Sequence, residues 1–120
     1  MATLLIAVSS EILSTALQEA LPQHRVYTCH AGTAALAQLE SVQPDIFIVE
    51  LCLSGLSGLE VLTKASCKPP VILALTSFIN DYVMQAAADA GVREMLLLPC
   101  SVAGILRRLE DFMEIPTPHT

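Results

Sequence analysis

The sequence predicts an α/β domain in which five parallel strands form one doubly wound sheet with helices on both faces. Three observations lead there. Short apolar runs without polar alternation recur along the chain, as strands covered on both faces require. Between them lie stretches whose apolar residues repeat at helical spacing. The connections are short, and most carry residues suited to starting or stopping a helix.

The first run, "TLLIAV" at 3–8, reads as a strand, and "SSEILSTALQEAL" follows it with Leu13, Ala16, Leu17, Ala20 and Leu21 at helical spacing behind a capping serine. "RVYTC" at 25–29 is the second strand and "TAALAQLES" at 33–41 a short helix. "DIFIVEL" at 45–51 is the third strand; a glycine-containing loop leads from it to a helix over about 58–65. Pro69 and Pro70 stop that helix, and "VILALT" at 71–76 is the fourth strand. Asn80 or Asp81 caps "YVMQAAADA", which ends at Gly91, where a left-handed residue is wanted. "EMLLL" at 94–98 is the fifth strand. After Ser101 the last helix places Val102, Ile105, Leu106, Leu109, Phe112 and Met113 on one stripe.

Right-handed crossovers leave few ways to join five such strands, and the flavodoxin-like order 2-1-3-4-5 suits this size. The domain is expected over residues 1–114, with "IPTPHT" at 115–120 a Pro/Thr tail or the start of a linker. In sheets of this kind the site lies outside the carboxyl ends of the strands. That edge is built from Ser9, Ser10, Glu50, Thr76 and Leu98.

Composition narrows the function. Apolar residues make up 53% of the chain and charged residues 15%, a balance for a compact core rather than a disordered segment. No run approaches the roughly 20 apolar residues that cross a bilayer. The start "MATLLIAV" lacks a basic region ahead of its short apolar stretch, so neither a signal peptide nor a membrane association is expected and the chain reads as cytoplasmic. A net charge of -6, from twelve acids scattered among six bases, offers no basic stripe for direct nucleic-acid binding. Cys29, Cys52, Cys67 and Cys100 are too widely spaced for a C-x-x-C pair and read as buried reduced thiols. Three of them fall near strand ends, which raises a redox-sensor reading, but the sequence supplies no neighbouring base to lower a thiol pKa. His24, His30 and His119 form no ligand cluster.

Enzymatic chemistry finds no motif. "GLSG" around Ser57 falls short of the G-x-S-x-G elbow, and no P-loop or G-x-G-x-x-G is present. "VSSEIL" has no glycine for a flavin phosphate loop. No catalytic residue is assigned.

The residue order does resemble one family, the receiver domain of two-component response regulators, over about residues 3–113. The resemblance rests on "QPDIFIVEL", "LSGLSGLEVL", "PPVILALTS" and "AGVREMLLLPC" with their spacing. It implies a phosphate-accepting position at Glu50, a metal-binding acid pair at Ser9 and Ser10, a phosphoryl-reading hydroxyl at Thr76, a lysine position at Leu98 and an aromatic switch position at Met95. Of these only Thr76 keeps the family's residue. The chain therefore resembles a degenerate, pseudo-receiver form. The resemblance also implies protein partners, or a homodimer, through the face of the fourth helix, fifth strand and fifth helix. That face would carry Asp81, Asp89, Arg93, Arg107, Arg108 and Asp111. It further implies an effector beyond residue 120, within a regulator of transcription.

Elementary chemistry agrees with the loss. Magnesium needs several oxygen ligands with carboxylates among them, and Glu50 is the one acid placed firmly at the edge, with Glu11 a second candidate. No metal site is assigned; magnesium binding is expected to be weak at most. A phosphoryl group brings nearly two negative charges, yet the two lysines, Lys64 and Lys68, lie at the far end of the third helix. Two readings of Glu50 stand. In one, its fixed charge stands near a phosphoryl position and draws in the Thr76 hydroxyl; in the other, it is a polar rim residue. A conventional receiver that accepts phosphate at Glu50 is the alternative function.

Overall fold

A computed structural model describes residues 1–66 and 68–114. The elements are β1 (Thr3–Ala7), α1 (Glu11–Ala20), β2 (Arg25–Cys29), α2 (Gly32–Val42), β3 (Ile46–Glu50), α3 (Gly58–Lys64), β4 (Val71–Thr76), α4 (Asp81–Asp89), β5 (Glu94–Leu97) and α5 (Val102–Glu114). The sheet order is β2-β1-β3-β4-β5, all pairs parallel. The five-stranded 2-1-3-4-5 architecture expected from the alternation of runs is the one observed.

Strand alternation divides the core into two layers. Leu5, Ala7, Phe47, Val49, Ile72 and Ala74 face a layer with Leu39 of α2 and Val61 and Leu62 of α3. Leu4, Ile6, Ile48, Leu73 and Leu75 face the other, with Leu17 of α1 and Ile105 and Leu109 of α5. The central strands are buried on both sides, which is why their runs show no polar alternation.

Helix starts follow local hydrogen bonding. Ser10 Oγ accepts from the Leu13 N–H, Asn80 Oδ1 from the Val83 N–H and Ser101 Oγ from the Gly104 N–H. Ser57 and Glu60 form a reciprocal capping box at α3. Alone among these, α2 begins on Ala31, which has no capping side chain. Its Gly32 N–H instead donates to the carbonyl of Ser54 at 2.8 Å, tying the loop after β3 to α2. Gly91 sits at φ +94 just past α4, where a side chain would be strained.

Several expectations need correction. The fifth strand ends at Leu97, not Leu98, because the chain turns at Leu98 and Pro99. β1 and β3 are likewise shorter than expected, at Thr3–Ala7 and Ile46–Glu50. Cys29 is buried, but Cys52 is exposed and Cys100 only half-buried, since both lie in loops past strand ends. Cys67, the side chain of Met113 and the reading of 115–120 as a tail lie outside the described residues.

Candidate functional site at the carboxyl edge of the sheet

Parallel strands bring their carboxyl ends to one edge, and the expected residues gather there. Ser9 and Ser10 follow β1, Glu50 ends β3, Thr76 ends β4 and Leu98 lies one residue past β5. Their side chains do different things.

Ser9 and Glu50 form the centre. Oε1 of Glu50 accepts the Ser9 backbone N–H at 2.8 Å and the Ser9 hydroxyl at 2.9 Å. The carboxylate therefore reaches from the end of β3 to the turn after β1. Ser10 does not take part, because its hydroxyl caps α1. Sequence reasoning placed a capping serine here and missed that the other serine of the pair binds Glu50. The legible hint was a neutral donor at a position that faces an acid across adjacent strands.

Thr76 does not turn toward Glu50, as one of the two readings of Glu50 required. Its hydroxyl, 3% exposed as a residue, donates to the Phe78 carbonyl at 3.1 Å and accepts the Phe78 N–H at 3.3 Å. A hydroxyl has one proton to give, and here it is given to its own loop. A partner two residues away is reached at little entropic cost, which favours the local ring. Leu98 packs against the α1 and α5 layer and Met95 against the opposite one, both half-buried.

The edge does not fit a magnesium ion. Ser9 and Ser10 bring no charge, Oε1 of Glu50 is already engaged, and Glu11 is exposed on the first turn of α1. Among the described residues no three His, Cys, Asp or Glu side chains are grouped to hold a metal. Nor do the lysines reach the edge: Lys64 ends α3, and Lys68 Nζ donates to the Leu62 carbonyl at 2.7 Å.

Two of the thiols, Cys29 and Cys100, are driven away from the thiolate form. Burial pushes Cys29 up to about 11 and raises Cys100.

On the α4, β5 and α5 face, several of the expected charges are engaged within the chain. Arg108 Nε lies 3.0 Å from Glu94 Oε2, and the Arg93 guanidinium stands 5.2 Å from the Phe112 ring centroid. Asp89 accepts from Gln85 Nε2 at 2.9 Å. Asp81, Arg107 and Asp111 are exposed. No described helix is long and apolar enough to cross a membrane.

Sheet order, edge residues and loop pattern together define a receiver-type signalling module. The chain belongs to the response regulator receiver domain family, whose model matches residues 7–110. It is 34% identical over 77 residues to the response regulator protein VraR of Staphylococcus aureus, a match over 62% of this chain and 37% of that protein. The chain thus spans well under half the length of the curated relatives it matches. Among solved structures, a CheY-like receiver domain from Methanospirillum hungatei superposes with a TM-score of 0.84 at 16% identity, covering 95% of this chain and 94% of that one. A LuxR family DNA-binding response regulator from Staphylococcus aureus superposes with a TM-score of 0.79 at 19% identity, over 92% and 98%. Receiver domains are signalling modules that interact with partner proteins, and as a class they bind magnesium at the acceptor site.

Proposed function

We propose that this receiver works without phosphorylation, as a protein-interaction module within a longer regulator of transcription. The observation that carries the reading is the pair of hydrogen bonds from Ser9 to Oε1 of Glu50. In a phosphorylatable pocket the two loops would share a metal; here a neutral donor meets the single carboxylate directly, and one carboxylate is fewer than a magnesium ion needs. A phosphoryl group on Glu50 would break both bonds and bring nearly two further negative charges to an edge where Leu98 supplies no cation. The length of VraR beyond the matched segment supports an effector elsewhere in the native protein.

Output is assigned to the face of α4, β5 and α5, either toward a partner or between two copies. The exposed Asp81 of α4 and Arg107 of α5 favour the second arrangement, since a two-fold axis can set one against the other.

Light scattering of wild type and Glu50→Gln, each with and without magnesium and beryllofluoride, tests the reading. The expected result is one mass for the wild type whatever is added. A wild-type mass that shifts with beryllofluoride overturns it and restores the conventional phosphate-accepting receiver.

A further inference from the structure

At the amino edge of the sheet, opposite Glu50, the starts of β1, β3 and β4 and the end of α5 enclose a groove of about 390 Å³. Ala2, Ile46, Pro70 and Val71 line it from the strand starts and Phe112 from α5, so its surface is mainly apolar. β1, β3 and β4 are neighbours in the sheet, and at about 4.8 Å per step the groove spans about 10 Å across them.

Bonds within the chain shape this groove. Its two polar side chains are already engaged: His24 Nδ1 accepts the Ala2 N–H at 3.0 Å, and Asp45 Oδ2 accepts the Thr3 N–H at 2.9 Å. The Asp45 N–H donates to the Thr3 carbonyl at 2.8 Å and the Val71 N–H to the Asp45 carbonyl at 3.2 Å. The Arg93 guanidinium, 5.2 Å from the Phe112 ring centroid, backs the α5 wall. Residues 2, 3, 45 and 71 therefore have no backbone donor left to offer a guest. What suits such a surface is an apolar segment that asks for few hydrogen bonds and brings no acid against Asp45.

The chain itself carries one. Phe112 stands two residues before the end of α5 at Glu114, so the chain leaves that helix at the mouth of the groove. The next six residues, "IPTPHT", hold an isoleucine and two prolines, which have no N–H, and no Asp, Glu, Lys or Arg. Three extended residues reach about 10 Å, so Ile115, Pro116 and Thr117 match the span. Tethered this close, the segment is present at about millimolar effective concentration, which a second copy or a separate partner has to match from solution.

We propose that segment 115–120 crosses the amino edge and seats Ile115 and Pro116 in this groove, so that whatever follows is held at the end of the sheet opposite Glu50. The proposal stands whether or not Glu50 accepts phosphate.

The test is NMR of the full chain. Close contacts are expected from the Ile115 methyls and the Pro116 ring to Ile46 and Val71, unchanged on dilution. Ile115→Asp should remove the Pro116 contacts and shift the Ala2, Ile46 and Val71 amides, with the core amide of Val49 unmoved. Ile115→Val should keep the contacts, and Thr120→Asp, the same charge change beyond the groove, should leave both contacts and shifts as in wild type. Absence of the contacts in wild type, or equal shifts from the two aspartate variants, overturns the proposal. Contacts that fade on dilution also overturn it and assign the groove to a second copy.

Discussion

Glu50 and Ser9 meet at a single oxygen: the backbone N–H and the hydroxyl of Ser9 both donate to Oε1, at 2.8 and 2.9 Å. The pair joins the turn after β1 to the end of β3 without an ion between them. A longer acid and a shorter, neutral partner make the span possible where two carboxylates would repel.

That geometry separates charge from reach. Glu50→Gln keeps an acceptor oxygen and should stay within about 0.5 kcal/mol of wild type, whereas Glu50→Asp is one methylene short and Ser9→Ala loses the hydroxyl donor, each costing about 0.5–1.5 kcal/mol. Urea denaturation measures all three. The wild-type midpoint should be the same in magnesium and in EDTA; a clear rise with magnesium would count against the direct pair.

Thr76→Val keeps the shape of a buried side chain but strands the Phe78 N–H and carbonyl, at a cost of about 1–2 kcal/mol. Hydrogen exchange should then show faster opening of the Phe78 amide ahead of any global loss of stability. An unchanged exchange rate would show that the loop does not depend on the hydroxyl.

Two glycines near the site are sterically required. A Cβ at Gly32 would sit 1.8 Å from the Leu56 carbonyl oxygen, and one at Gly58 would sit 2.7 Å from that of Glu50. Backbone on the far side cannot yield cheaply, so Gly32→Ala is expected to cost about 3 kcal/mol or more and Gly58→Ala less. Thermal melting of the two variants tests the order.

Cys29 couples stability to alkaline pH. Its folded pKa is raised by burial from 9.0 to about 11, so the unfolded chain releases this proton first as pH rises. Its contribution is fully present below pH 9 and lost progressively toward 11. Denaturation midpoints should fall across that window in wild type and fall less in Cys29→Ala. Exposed Cys52 should be alkylated by iodoacetamide well before Cys29, as mass mapping would show.

Much of this was legible from local pattern. Runs such as "TLLIAV" and "VILALT" have no polar alternation because each is covered on both faces, and Ser10, Asn80 and Ser101 cap their helices through partners three residues away. Strand ends were less legible. Leu98 is as apolar as Leu97, and what stops β5 is the turn into Pro99 rather than any change of residue type. Cys52 was read as buried because composition cannot separate a strand residue from one two places past its end.

The sequence by itself determined the layered α/β architecture, the residues that reach the carboxyl edge and the absence of a second acid and a lysine among them. These follow from periodicity and residue type, which act over a few neighbours. Only the tertiary structure decided what each edge residue bonds to. Ser9 lies 41 positions from Glu50 and meets it because β1 and β3 are adjacent strands, while Thr76 gives its proton to Phe78 two positions on. A hydroxyl proton goes to whichever acceptor the folded chain places in reach, and that placement depends on strand order and loop path together.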